Sequence, residues 1–163
     1  MKDNNNITIW NADVRWCNFS GIPRTPKDRE GKRYINVILD GDTAEELARA
    51  GWNVKYTKPK PDAEDYEPLA YIKVIINFNL RQKPRIYLVT ENNKTLLTED
   101  TVDQLEGCVF TKADLSISRI YYRAYDQWSQ VLTMGFFTIE ENELYRAYFD
   151  DEHQMPIDDD TPF

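Results

Sequence analysis

ITIWNADVRWCNF, residues 7 to 19, is the stretch from which the fold is read. Ile7 and Ile9 alternate, then Val14 and Trp16 alternate one step out of phase. That slip predicts one long strand with a kink or bulge near Asn11. The next residues, SGIPRTPKDREGKR (20 to 33), hold two Pro, two Gly and five basic side chains against two acidic ones, so they read as a cationic loop. YINVILD, 34 to 40, returns as a second strand of high β-propensity.

Further along, residues 42 to 50 carry a helix signal. Thr43 and Glu46 have capping-box spacing, Ala44, Leu47 and Ala48 form an apolar face, and Gly51 stands where a C-terminal cap belongs. WNVKYTK, 52 to 58, reads as a third strand with Trp52, Val54 and Tyr56 on one face and Asn53 and Lys55 on the other. Residues 59 to 68 contain three Pro and predict a projecting loop. LAYIKVIINF, 69 to 78, reads as a long buried strand that a basic turn, Arg81 to Arg85, returns into Ile86 to Thr90 as a hairpin. A short helix is expected at 98 to 105, capped by Thr98 and ended by Gly107. Residues 109 to 120 and 134 to 149 supply the closing strands, joined by the aromatic segment YYRAYDQW, 121 to 128.

Six or seven strands with two short helices and basic loops suit a mainly β, partly open barrel, and the oligonucleotide-binding (OB) version is preferred. A β-sandwich matches the strand count nearly as well, and periodicity does not separate the two. The expected domains are 1–149 for the barrel and 150–163 for an acidic tail.

Composition narrows the function. With 163 residues, 41% hydrophobic and 13% aromatic, the chain suits one well-buried domain. No apolar run reaches the roughly 20 residues of a membrane span, and the N-terminal residues lack a signal-peptide core, so a cytoplasmic protein is expected. Cys17 and Cys108, far apart and without CxxC spacing, read as reduced, buried thiols. The one His, His153, lies in the tail, which leaves the body without a Ser-His-Asp or Cys-His pair. Phosphate-loop, dinucleotide and zinc spacings are missing, and Pro61-Asp62 opens a nuclease-like motif that no Glu-x-Lys completes. No catalytic residue, metal ligand or cofactor is therefore expected.

The net charge of −8 is uneven. DDEHQMPIDDDTPF, 150 to 163, holds six of the 28 carboxylates and no Lys or Arg, which leaves the body with 22 acidic against 20 basic residues. Such a tail cannot bury enough apolar surface to order itself, and its terminal Pro-Phe makes it a two-part ligand: carboxylates for a basic ridge, a ring for an apolar pocket. Asp158-Asp159-Asp160-Thr161-Pro162-Phe163 resembles the C-terminal tip of bacterial single-stranded DNA-binding proteins, with Thr161 where an aliphatic residue is usual. The resemblance implies that Asp158, Asp159, Asp160, Pro162 and Phe163 recruit replication, recombination or repair enzymes bearing a basic pocket. A second resemblance covers most of residues 7 to 125. The segments 16–21 (WCNFSG), 51–55 (GWNVK) and 71–74 (YIKV) are similar to a phage-encoded family of single-stranded DNA-binding proteins.

Sequence-tolerant binding of single strands needs cations along the phosphates and rings for the bases. The expected DNA contacts are Arg15, Trp16, Phe19, Arg24, Lys27, Arg29, Lys32, Arg33 and Tyr34; then Trp52, Lys55, Tyr56, Lys58 and Lys60; then Arg81, Lys83 and Arg85. These three groups must converge in space. Trp10 and Trp52 read more readily as core, and Tyr121, Tyr122, Tyr125 and Trp128 are left open between stacking platform, homodimer contact and packing beneath a loop. The expectation is a non-enzymatic protein that coats single-stranded DNA in the host cytoplasm and calls enzymes through its tail, which can also occupy the basic groove when no DNA is present. The alternative is a phage inhibitor that mimics the host tail, or DNA, to block a host DNA-processing enzyme.

Overall fold

A computed structural model describes residues 5–23, 25–26, 28–58 and 67–140. Arg24, Lys27, Lys60, most of the 59–68 loop, the stretch 141–149 and the acidic tail lie outside the described residues.

The first strand bends where the sequence slips phase. β1 (Asn6–Ile9) and β2 (Asp13–Asn18) are its two halves, and Asn11 between them sits at φ 51°. β1 pairs antiparallel with β8 (Lys112–Tyr122), while β2 pairs antiparallel with β3 (Arg33–Leu39). β3 runs against β5 (Ala70–Ile76) through seven consecutive pairs, and β8 forms a long hairpin with β9 (Gln127–Thr138). The sheet order is β1-β8-β9-β5-β3-β2, so both of its ends belong to the one bent strand. It stays open, because β5 meets β9 through a single parallel pair, Ile75 with Val131. The result is a mainly β, OB-like open barrel.

Strand alternation fills its interior. Ile35 and Val37 on β3, Ile72 and Val74 on β5, Leu115 and Ile117 on β8, and Leu132 and Phe137 on β9 are all buried. Each such side chain contributes on the order of 1.5–3 kcal/mol by leaving water. The helix α1 (Gly41–Arg49) adds Ala44 and Leu47 to this core, while Ala48 is exposed. Its N-cap is Asp40 rather than Thr43: the Asp40 carboxylate accepts from the Thr43 amide (2.8 Å) and hydroxyl (3.0 Å). The C-terminal end is as expected, with Gly51 at φ 95°, its amide donating to Ala48 O and that of Trp52 to Leu47 O.

Three expectations fail for identifiable reasons. β5 and β6 (Arg85–Val89) do not form a hairpin; the connection 77–84 lets β6 leave, to lie parallel to β9 and antiparallel to β7 (Lys94–Leu97). β7 exposes three of its four residues and shows no alternation to read. β9 begins at Gln127, seven residues before the expected start at Met134. The hairpin runs on past the barrel there, so GlnTrpSerGln need not alternate. The second helix is a single 3-10 turn, Val102–Leu105, without a side-chain cap. Cys17 and Cys108, expected to be buried, are half-buried.

Candidate nucleic-acid interface

β3 and β5 turn Ile35, Val37, Ile72 and Val74 inward, so Tyr34, Asn36, Ile38, Tyr71, Lys73 and Ile75 lie on the outer face. The register sets Asn36 opposite Lys73 and Ile38 opposite Tyr71. Arg15 on β2 is opposite Asn36, and Lys55 on β4 (Val54–Tyr56) is opposite Tyr71, which brings both cations to the same face.

Trp16 reaches that face through a bulge. Plain alternation from Val14, which pairs with the inward Val37, would turn Trp16 inside. The register instead shifts between Arg15 and Asn18, with Trp16 at φ 51°. The Asn36 amide donates to Trp16 O at 2.9 Å and holds the bulge. The indole is 52% exposed and meets the Tyr71 ring edge-on, centroids 5.7 Å apart at 75°.

Beside these rings lies a knot of ammonium groups. Lys73 Nζ stands 4.2 Å above the Tyr34 ring, Lys32 Nζ stands 5.9 Å from the same centroid, and the Tyr34 hydroxyl donates to Asp28 (3.1 Å). Burial pushes the Lys73 pKa down to about 8, with help from Lys32 and Lys55 and against the opposing pull of Asp28. Three lysines thus share a small area, an arrangement that a polyanion relieves. Arg15 is partly spent, because Asp13 holds it through two bonds of 3.0 and 2.9 Å.

The β8–β9 hairpin carries a second group of rings. Tyr121 and Trp128 are cross-strand partners with centroids 5.5 Å apart, and Tyr125 at the turn is 73% exposed. The Arg119 guanidinium lies 5.5 Å from the Trp52 ring and 4.9 Å from that of Trp128, and donates to the Asn5 side chain. Gln130, almost wholly buried, ties the hairpin to the lysine face: its carbonyl accepts from Asn53 N and its amide donates to Lys73 O, both at 2.8 Å.

The expected contacts divide accordingly. Arg15, Trp16, Lys32, Tyr34 and Lys55 come together, although Tyr34 is 8% exposed and lies beneath lysines, so bases cannot stack on it. Arg29, Tyr56 and Lys58 are exposed. Phe19 and Trp52 are core residues rather than stacking platforms, at 1% and 4% exposure; Phe19 packs edge-on against Phe110 and Phe137. Trp10, read as core, is instead exposed at the strand kink. Arg33 is structural: its Nε donates to Phe19 O (2.9 Å) and Nη1 reaches Glu99 (3.6 Å). Arg81 is exposed, and Lys83 and Arg85 line a separate cleft with Ser116, Thr133 and Met134. Sequence reasoning missed Tyr71, Lys73, Arg119 and Gln130. Lys73 had a signal, a cation at an outward position within an apolar alternating strand.

Among the described residues no group of His, Cys, Asp or Glu is arranged to hold a metal ion, and no helix is long and apolar enough to cross a membrane. An open OB-like barrel with exposed rings and clustered lysines on one outer face has the two elements, cations and rings, that sequence-tolerant binding of single strands needs. Residues 1–160 match the family described as "Putative phage ssDNA-binding domain", and the chain belongs to that family of DNA-binding, non-enzymatic proteins. Similar solved structures include the single-stranded DNA-binding protein from bacteriophage Enc34 in complex with ssDNA, at 10% identity over 84% of this chain and 88% of that one (TM-score 0.48). Its C-terminal truncation shows 11% identity over 84% and 87% (TM-score 0.45). No curated protein matches.

Proposed function

We propose that the barrel coats single-stranded DNA along the outer face of β2, β3 and β5. Trp16 and Tyr71 receive bases, while Lys32, Lys55 and Lys73, with Arg29 and Lys58 at the margins, take phosphates. The hairpin rings Tyr121, Tyr125 and Trp128 extend the track, and Gln130 fixes their distance from Lys73. The observation that carries this reading is the bulge at Trp16, which costs a left-handed backbone at a bulky residue and gains an exposed indole against Tyr71 beside three lysines. Fluorescence anisotropy of a labelled oligo-dT tests it. Trp16→Ala and Lys73→Glu should each weaken binding at least fivefold without loss of folding, and affinities unchanged by both would reject the face.

The acidic segment Asp158 to Phe163 recruits replication, recombination or repair enzymes to the coated strand, which is where a ligand of carboxylates and one ring is useful. Removing Phe163 should abolish capture of such enzymes while oligo-dT binding persists. Equal capture with and without the ring would end the recruitment reading.

A further inference from the structure

Arg119 on β8 carries a charge that the fold leaves without a counter-charge. Arg15, Arg33 and Arg49 each face a carboxylate, of Asp13, Glu99 and Glu45 respectively. The Arg119 guanidinium is half-buried and, among the described residues, forms no ion pair. Its neighbours are the Trp52 and Trp128 rings and the Asn5 side chain, whose Oδ1 accepts from Nη2 at 3.0 Å. Nε is buried and has no hydrogen-bond partner. The end of α1 lies alongside, with Gly51 so near that a Cβ there would stand 2.7 Å from Nη1. The carbonyls of Glu46, Leu47 and Ala48 are nonetheless taken by the amides of Ala50, Trp52 and Gly51. A half-buried cation among neutral groups, with one N–H unsatisfied, is costly until an anion completes it.

Place and shape both suit a phosphate. The register sets Arg119 opposite Gln130, whose amide donates to Lys73 O, so the guanidinium stands between the half-exposed Trp128 ring and the strand that carries Lys73. A guanidinium offers Nε and Nη2 as two parallel donors, an edge that matches two oxygens of one phosphate. Here Asn5 Oδ1 occupies one prong of that fork and the other is empty. A single amide oxygen satisfies one donor and brings no charge. The Asn5 side chain can leave while its backbone stays, because Asn5 O accepts separately from Arg119 N at 2.7 Å.

We infer that Arg119 is a phosphate-binding residue of the DNA track: a backbone phosphate of the strand passing Trp128 displaces the Asn5 side chain and takes the Nε and Nη2 edge side-on. The inference rests on the DNA-coating reading and deepens it, adding a cation at the hairpin to the three lysines. Asn5 is the placeholder on that edge while no strand is bound. The two indoles hold the guanidinium in place, so little order is lost when the phosphate arrives.

Anisotropy of labelled oligo-dT from 50 to 300 mM NaCl, on the full chain, tests this. Arg119→Gln should weaken binding at least fivefold at 50 mM and make the slope of log K against log salt shallower by about 0.7, the share of one phosphate on a single strand. Asn5→Ala removes the competitor for the edge, so affinity should hold or rise with the slope unchanged. A loss in Arg119→Gln at an unchanged slope would make Arg119 a support for Trp128 alone and overturn the inference. Unchanged affinity in Arg119→Gln, or a loss of more than twofold in Asn5→Ala, would overturn it as well. Phenylglyoxal labelling of the unmodified chain, read by peptide mass spectrometry, gives a test that depends on no variant's folding. Label should appear at Arg119 in the free protein and slow at least fivefold under saturating oligo-dT; no label, or label that DNA does not slow, overturns the inference. The two readings fail differently. Absence of oligo-dT binding by the unmodified chain overturns DNA coating, whereas a salt slope that responds to Lys55→Gln with Lys73→Gln and ignores Arg119→Gln overturns the role of Arg119 alone.

Discussion

On the proposed DNA face, Lys73 should make affinity depend on pH in a range where an ordinary lysine would not. Its ammonium, crowded by burial, Lys32 and Lys55, titrates near pH 8 rather than 10.5. A phosphate set beside it favours the charged form and returns the pKa toward its ordinary value, so binding takes up a proton above pH 8. Below pH 7 the free protein already carries the charge and nothing changes. At pH 9 only about a tenth of it remains protonated, so affinity should fall by at most about tenfold relative to pH 6.5, and about three- to fivefold once solvent screening at this half-buried group is counted. Folding stability should move the opposite way. The unfolded chain holds the Lys73 proton up to about pH 10.4 while the native state gives it up near 8, so this group's contribution to stability rises between those values. Anisotropy titrations of oligo-dT from pH 6.5 to 9, beside urea melts of the free protein, read both trends. Lys73→Arg keeps a cation that does not titrate and should flatten them. A flat profile for the unmodified protein, or an unchanged slope in Lys73→Arg, would refute the reasoning.

Other substitutions separate binding from packing. Trp16→Ala should cost about 1–3 kcal/mol of oligo-dT binding and leave the melting temperature nearly unchanged, because the indole is half exposed. Phe19→Ala should do the reverse. Emptying a fully buried aromatic site costs about 3–5 kcal/mol, which lowers the melting temperature on the order of 6–20 °C, while affinity measured below the transition changes less than twofold. Gly51→Ala meets two obstacles, a backbone at φ 95° and a Cβ 2.7 Å from Arg119 Nη1. A destabilisation of about 1–3 kcal/mol and a changed near-ultraviolet circular dichroism signal from Trp52 and Trp128 are expected.

The kink near Asn11, the cationic loop, the Gly51 cap and the separation of Lys55 from Val54 across the strand were all legible in the sequence, because local chemistry fixes each of them. Trp16 was legible only in part. Its neighbours pointed to the basic loop, whereas its exposure comes from a bulge held by Asn36, twenty residues away. Phe19 looked like a stacking ring for the same reason, proximity in sequence to cations, yet the fold spends it on the core, beside Trp52, for which core was the readier reading. The hairpin rings could not be assigned, since their relation to Lys73 runs through two bonds from Gln130 to strands more than fifty residues distant. Lys83 and Arg85 were grouped with the other cations by charge alone. Only the departure of β6 from β5 to β9 shows that they line a different cleft.

The central claim is that unpaired strands are gripped by three lysines and two rings on one outer face. The salt dependence of oligo-dT affinity, followed by tryptophan quenching from 50 to 300 mM NaCl, tests it most directly. The three lysines, neutralising about three phosphates on a single strand, contribute about −2 to the slope of log K against log salt, and replacing both Lys55 and Lys73 by Gln should make the slope shallower by about 1.4. Absence of quenching at 50 mM, or a slope that ignores the two substitutions, would contradict the account.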